Sequence, residues 1–147
     1  MDRDIERVLR LAFPGEDARY FGSITVGTTP SDAARGAAAI LDGIKTTTSS
    51  LFWDWPDGHI PFVGALSVLL DEQSRPRAII ETERVEIISF GSVDESLAWS
   101  YGEGDRTLSW WRSTMGDFYR NAAARQGLAF SDDTALIFEW MAVARRL

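Results

Sequence analysis

The stretch Gly64–Phe90 reads GALSVLLDEQSRPRAIIETERVEIISF and contains two apolar, strand-like runs, Gly64–Leu70 and Arg77–Phe90. The polar segment DEQSRP between the runs is typical of a hairpin connection, so the sequence predicts two antiparallel strands. The second run is long enough to bend. Glutamates interrupt it at positions 81, 83 and 86. We expect most of them to face solvent, as on a half-buried strand, and Glu81 is the candidate for pointing into a pocket.

Two helices are predicted before this hairpin. Apolar residues recur at steps of three and four over Ile5–Ala12, and Pro14-Gly15 closes this short amphipathic helix. The second helix starts at Pro30-Ser31-Asp32, presents a face of small apolar residues up to Leu41 and ends at Gly43. Its alanine-lined face lets the segment after Gly43 approach the core closely.

After the hairpin, the sequence predicts further helix and a last strand. Asp94–Ser100 is a short helix or turn, and Tyr101–Asp105 is an acidic loop with glycines on both sides of Glu103. A core helix ending at Gly127 follows. Its predicted apolar face consists of Leu108, Trp111, Met115, Phe118 and Ala122. Ala135–Ala144 is the closing strand. This order indicates an α+β domain: a small, strongly bent antiparallel sheet or barrel with helices against it.

Composition and charge restrict the function classes. A chain of 147 residues has the size of one domain, so we predict a single domain over residues 1–147. It has no cysteine and one histidine, which excludes a thiolate nucleophile and a cysteine-based zinc site. Neither a membrane span nor a signal peptide is recognisable, so we expect a cytoplasmic protein with no membrane partner. The net charge of -7 argues against long polyanions and favours a small neutral ligand.

Lys45 is the only lysine of the chain, beside 14 arginines. An arginine stays protonated at any cellular pH, whereas a buried lysine can become neutral and act as a base. Three threonines and two serines follow Lys45 directly, a pattern expected of a lysine-activated hydroxyl nucleophile. The alternative is a surface lysine in an arginine-biased chain, followed by an ordinary polar strand or turn.

An aromatic segment, LFWDWPDGHIP, follows at Leu51–Pro61. If it is extended, the rings of Trp53 and Trp55 face the same way and form a wall on which a nucleobase can stack. The alternative is a loop whose tryptophans close one end of the core. His59 is interpreted as a solvated turn residue.

Five short segments of the chain together resemble the activating-signal-cointegrator homology (ASCH) domain family. They are FGS at 21–23, GIKTTTS from Gly43, RPRAIIET from Arg75, GEGDRTLSWWR from Gly102 and LIFEWMAV from Leu136. The resemblance covers the chain from Tyr20 onward and leaves a helical extension at about residues 1–15 outside it. It implies a PUA-like fold, a small bent antiparallel β-barrel flanked by helices, with a cleft.

Small bacterial members that this chain resembles are amidohydrolases that remove the acyl group from N(4)-acetylcytidine. Carried over by position, the resemblance implies Lys45, Thr48 and Glu103 as catalytic residues. Neutral Lys45 takes the Thr48 proton as the oxygen attacks the exocyclic amide, and Glu103 orients the lysine or moves the proton to the leaving amine. The chain has Tyr101 where the family usually has glutamate, and Met115 where it often has histidine.

Spacing by itself leaves the hydroxyl open. In a regular strand Lys45 shares a face with Thr47, whereas a turn brings it beside Thr48, which is the choice that the resemblance implies. Backbone amides near residues 46–49 are the candidate oxyanion hole. The candidate substrate-binding residues are Trp53, Trp55, Thr47, Tyr20, Glu81 and Arg112. The scheme needs no metal and no organic cofactor.

The expected partner is a small nucleoside, bound by a monomer or a homodimer. A competing hypothesis is an RNA-binding module or ribonuclease, in which Lys45 and Arg112 contact phosphate in a basic cleft. A third is a regulatory domain that binds a ligand in the same pocket without turning it over.

Overall fold

A computed structural model describes residues 1–147 and shows four α-helices against a five-stranded sheet. The helices are α1 (Arg3–Ala12), α2 (Pro30–Leu41), α3 (Glu95–Tyr101) and α4 (Leu108–Arg125). The strands are β1 (Tyr20–Ile24), β2 (Thr47–Leu51), β3 (Leu66–Leu70), β4 (Pro76–Ser89) and β5 (Ala135–Arg146). The α+β class and three predicted helices are confirmed, and the segment predicted to be a short helix or turn forms α3. None of the helices is both long and apolar enough to cross a lipid bilayer.

The sheet has the order β1-β3-β4-β5-β2. The predicted hairpin is present as β3 and β4, which pair antiparallel from Leu66 opposite Glu81 onward. β4 also pairs along its length with β5, and the register slips twice, between Ile79 and Ile80 and between Thr82 and Arg84. Such irregularities bend a strand and increase its twist. The expected bend of the second run is therefore real.

The prediction of an antiparallel barrel needs two corrections. β1 runs parallel to β3, and the edge strands β1 and β2 do not pair with each other, so the sheet is open. The connection from β1 to β3 passes through α2 and β2, and a long connection of this kind permits parallel pairing. The sequence analysis did not predict β1 as a strand, because its residues YFGSI show no clear alternation of apolar and polar side chains. In the structure most of them are partly buried.

The helices cover the sheet in three places. α1 packs Leu9 against Leu66 and Val68 of β3. α2 packs Ala37 and Ile40 against the part of the sheet that contains Met141. α3 and α4 close the third region, whose buried side chains are Leu51, Phe90, Val93, Ala98, Tyr101, Trp111, Tyr119, Leu136 and Phe138.

The core face of α4 differs from the predicted one. Phe118 was predicted to be buried but is 38% exposed, whereas Tyr119 is 1% exposed. The helix turns Tyr119 inward, and the phenol hydroxyl of this residue has a hydrogen-bonding partner in the partly buried Ser49. A polar side chain with a hydrogen-bonding partner can occupy a core position that an apolar pattern alone assigns to its neighbour.

α2 lies unusually close to the segment that follows β1. A Cβ atom on Gly36 would lie 2.2 Å from the Cβ atom of Val26, so only glycine permits this approach. Both residues belong to the wall of the largest cavity, which separates α2 from α4.

Candidate active site

Lys45 is buried, with 2% of the residue exposed. It leaves the end of α2, where its backbone N–H donates to the carbonyl of Ala39. Its Nζ lies 2.7 Å from Oε2 of Glu103 and donates to the carbonyl of Tyr101 over 3.1 Å. Burial lowers the pKa of Lys45 from 10.5 to about 8, although the Glu103 carboxylate acts in the opposite direction. A substantial fraction of this amine is therefore neutral at slightly alkaline pH.

Glu103 reaches Lys45 because the chain turns sharply after α3. Gly102 ends this helix with φ at 67°, and its N–H donates to the carbonyl of Trp99. A Cβ atom at this position would lie 2.5 Å from the carbonyl oxygen of Ile44 and 2.6 Å from Cα of Lys45. Both the left-handed conformation and the close approach require glycine. The glycines that flank the acidic loop in the sequence thus hold the carboxylate against the lysine segment.

A cavity of about 640 Å³ adjoins this ion pair. Its wall contains Thr48 from β2, Tyr101 and Glu103 from the end of α3 and the following loop, Arg35 from α2 and Phe118 from α4. A space of this size is in the range of small-molecule binding sites. The Glu103 side chain is 25% exposed, so it can contact both the buried amine and a ligand.

The two threonines that the sequence left as alternatives differ in access. Thr47 is completely buried, and its hydroxyl shares a 3.0 Å hydrogen bond with the Ser100 hydroxyl. Thr48 lies at the cavity wall, and its hydroxyl has no protein partner within hydrogen-bonding distance. β2 begins at Thr47, so Lys45 precedes the regular strand. The polar contacts of Lys45 Nζ are the Glu103 carboxylate and the Tyr101 carbonyl, and Nζ forms no direct hydrogen bond with Thr48.

A network of hydroxyl groups, which the sequence analysis did not predict, adjoins the same cavity. Ser49 donates to the Tyr101 hydroxyl over 3.2 Å and shares a 2.5 Å hydrogen bond with the Tyr119 hydroxyl. Burial raises the pKa of both phenols above that of an ordinary tyrosine, and the rise is large for Tyr101. Both hydroxyls therefore stay neutral at physiological pH. Ser49 and Tyr119 are 70 residues apart, and no local pattern links them.

Glu139 on β5 is a second carboxyl group near Thr48 that the sequence analysis did not predict. The two residues face each other across the β2–β5 pair, and directly opposite side chains lie on the same face of a sheet. Glu139 accepts a hydrogen bond from the Thr82 hydroxyl over 3.2 Å. Burial raises its pKa more than this hydrogen bond lowers it. The signal in the sequence was a glutamate inside an apolar strand.

The tryptophans proposed for base stacking lie outside the cavity wall. Residues 52–54 and 56–58 form short 3-10 turns, so the extended conformation that would align Trp53 and Trp55 is wrong. Trp53 packs against the core cluster of α3 and α4. Trp55 donates from Nε1 to the Ser50 hydroxyl over 2.9 Å and contacts the ring of Phe21.

The other three proposed binding residues are also engaged elsewhere. The Tyr20 hydroxyl donates to the carbonyl of Phe13 over 2.5 Å. Glu81 forms an ion pair with Arg19. Arg112 donates to the backbone carbonyls of Gly91 and Val93 over 3.1 and 3.2 Å, which ties the segment after β4 to α4. The structure therefore places Lys45 against Glu103, places Glu103 and Thr48 on the wall of one cavity, and leaves Tyr20, Glu81 and Arg112 off that wall. No group of three or more histidine, aspartate or glutamate side chains is arranged to hold a metal ion.

Comparison with known proteins identifies relatives of the whole fold. A family model described as the ASCH domain matches residues 22–145. The solved ASCH domain from Lactobacillus crispatus is 28% identical to this chain, with a TM-score of 0.83, and the match covers 95% of this chain and 91% of the other. A solved protein from Enterococcus faecalis, assigned to the family model DUF984, is 26% identical with a TM-score of 0.82, and the match covers 99% and 91% of the two chains. No curated protein matches the sequence.

Proposed function

Because this chain belongs to the ASCH domain family, we propose that it is an amidohydrolase that removes the acyl group from N(4)-acetylcytidine or a related N(4)-acylated cytosine nucleoside. The observation that carries the proposal is a buried lysine 2.7 Å from a carboxylate, where that carboxylate and Thr48 line the same cavity. A lysine with a lowered pKa can act as the base, a hydroxyl as the nucleophile and a carboxylate as the proton carrier in acyl transfer through a covalent intermediate. The cavity volume, about 640 Å³, is large enough for a nucleoside.

In the first half of the reaction, neutral Lys45 takes the proton of the Thr48 hydroxyl. The oxygen attacks the acyl carbonyl carbon, which forms a tetrahedral intermediate. Because Nζ is bonded to Glu103 and Tyr101 before substrate enters, the lysine must turn towards Thr48 or act through a bound water. Collapse of the intermediate breaks the bond between the carbonyl carbon and the exocyclic nitrogen. The leaving amine takes a proton, and the acyl group stays on Thr48 as an ester.

In the second half, water replaces the nucleoside. Lys45 takes a proton from the water as its oxygen attacks the ester carbonyl, and the Thr48 oxygen leaves with a proton returned to it. The products are a free carboxylic acid and the restored threonine. Glu103 contacts the amine and reaches the cavity, so it can carry the proton from Lys45 to the leaving nitrogen.

Turnover of N(4)-acetylcytidine by four variants tests this proposal. We expect wild type to release cytidine and Thr48→Ala to lose activity by about a thousandfold or more, because the nucleophile is absent. Thr48→Ser keeps a hydroxyl and should retain measurable turnover. Lys45→Arg keeps the charge but cannot become neutral, so we expect a loss of roughly a hundredfold to ten-thousandfold. Ultraviolet absorbance or chromatography of released cytidine is the measurement.

Ser49→Ala is the matched control, because Ser49 is the neighbouring hydroxyl at the same cavity wall. It should retain more activity than Thr48→Ala. If the wild type releases no cytidine, the proposed function is wrong. If Thr48→Ala turns over as fast as wild type, the nucleophile is assigned to the wrong residue.

A further inference from the structure

Tyr101 contacts the Lys45 amine in two ways that the reaction scheme does not use. Its carbonyl accepts a hydrogen bond from Nζ over 3.1 Å, and the centroid of its ring lies 3.4 Å from Nζ. With the Glu103 carboxylate at 2.7 Å, the amine has three electron-rich neighbours. A protonated lysine has three N–H donors, and a neutral one has two. The surroundings of Nζ therefore match the ammonium form.

The ring of Tyr101 is held in this position from several directions. Its hydroxyl accepts a hydrogen bond from Ser49, which is itself bonded to Tyr119. Trp111 contacts the ring at 5.9 Å between centroids with a nearly perpendicular orientation, and Phe138 does so at 6.4 Å. Tyr101 as a whole is 3% exposed. A ring fixed in this way already faces the amine. It therefore loses no further side-chain entropy when Lys45 becomes protonated.

The charged groups around Lys45 come from three parts of the chain: the end of α2, strand β4 and the loop between α3 and α4. Glu103, after α3, is the one that forms an ion pair with the amine. Asp42 at the end of α2 and Glu83 on β4 line a second cavity, which Lys45 itself also lines. Arg106 donates to the carbonyl of Ile44 over 3.4 Å. These groups remain in place when only the side chain of residue 101 is changed.

We propose that Tyr101 is a positioning residue, whose ring face and carbonyl stabilise the ammonium that Lys45 becomes when it takes the hydroxyl proton. The catalytic part of this role rests on the proposed function, because it concerns the same base. An aromatic ring attracts a cation most strongly where water is excluded, as it is here. Lys45 thereby becomes a stronger base than burial alone would leave it.

Magnetic resonance of the single lysine tests the inference without any substrate. Because the chain has one lysine, isotope-labelled lysine gives one side-chain signal, which can be followed from neutral to alkaline pH. Tyr101→Met removes the ring face but keeps an apolar side chain and the carbonyl. We expect it to raise the acid dissociation constant of Lys45 roughly tenfold, since a desolvated cation loses its aromatic partner. Tyr101→Phe keeps the ring, so this matched control should titrate close to wild type.

Two results would overturn the inference. One is a Tyr101→Met titration midpoint equal to or above that of wild type. The other concerns wild type alone and applies even if the variants do not fold. Protons beside Nζ lie over a ring face and should resonate upfield of those in free lysine, so a signal without this upfield shift would overturn the inference. Neither result depends on hydrolysis of N(4)-acetylcytidine. Failure of the proposed function would appear in the hydrolysis assay, and failure of this inference would appear in the titration and the chemical shifts. In an active enzyme, kcat should rise with pH as Lys45 loses its proton, and the midpoint of this rise should move with the measured midpoint of Lys45.

Discussion

At the scale of single residues, the site depends on the cost of burying Lys45. The amine is almost inaccessible to solvent, and its neighbours compensate only part of the lost hydration, so its pKa falls to about 8. A buried ion pair is weak evidence for a stabilising role, because desolvation can exceed the attraction. We therefore interpret the Lys45–Glu103 pair as an arrangement that supplies a base and not as one that stabilises the fold.

This cost predicts how stability depends on pH. Between about pH 8 and 10.5 the folded protein has released the Lys45 proton, whereas the unfolded chain still binds it. Stability therefore rises with pH through this range, by about 3 kcal/mol in total from this group. Urea unfolding of wild type and of Lys45→Met at several pH values measures the effect. The difference between the two proteins should change in favour of wild type as pH rises, and a difference independent of pH would contradict the lowered pKa.

At the scale of elements, the cavity owes its shape to the approach of α2 to the segment after β1. Gly36 permits this approach, and Val26 occupies the space where a side chain would otherwise lie. Helix α4 forms the opposite wall, with Phe118 exposed towards the cavity. Packing at Gly36 and Val26 thus positions α2, although neither residue belongs to the proposed catalytic group.

Gly36→Ala tests this packing, because the substitution should raise the free energy of unfolding without the contact and lower it with the contact. In an unobstructed helix interior, alanine in place of glycine would stabilise the protein by about 1 kcal/mol. Here the added methyl group collides with Val26, so we expect a loss of roughly 1 to 3 kcal/mol in the free energy of unfolding. Ala38→Gly, at an exposed position of α2, is the control and should lose about 1 kcal/mol through helix propensity alone. A gain in stability for Gly36→Ala would show that α2 does not lie against Val26.

At the scale of the whole molecule, the site lies where distant parts of the chain meet. An open five-stranded sheet leaves β2 at one edge, and α2, α4 and the loop after α3 enclose the space beside it. The chain carries a net charge of -7. A field of this sign repels polyanions and has little effect on a neutral nucleoside.

Salt dependence tests this electrostatic argument. We expect kcat/KM for the neutral nucleoside to change less than about twofold between low and high salt, because screening acts on charge pairs. An acetylated RNA oligonucleotide should be a poorer substrate at low salt and should improve as salt rises, because repulsion is screened. Steady-state kinetics on both substrates is the measurement. A steep loss of oligonucleotide turnover with added salt would instead indicate a basic RNA-binding surface.

Local patterns in the sequence accounted for most of the helical segments and the β3–β4 hairpin, and they singled out Lys45 beside a run of hydroxyls and Glu103 between two glycines. These features are encoded by residues close together in the chain: apolar periodicity, caps and turns, or a lone lysine beside hydroxyls. The resemblance to the ASCH family linked Glu103 to the other two across the chain, and the family model and the solved relatives confirm membership of that family.

Only the tertiary structure decided that β1 runs parallel to β3, that Tyr119 and not Phe118 is buried, and that Tyr101 covers the amine. It also placed Trp53 and Trp55 away from the cavity. Each of these depends on which distant segments meet, and a contact between residues far apart leaves no mark on the local spacing of either. The sequence thus determined which side chains are able to do the chemistry. Burial, a property of the assembled fold, decided the pKa of Lys45, which we propose to be the base.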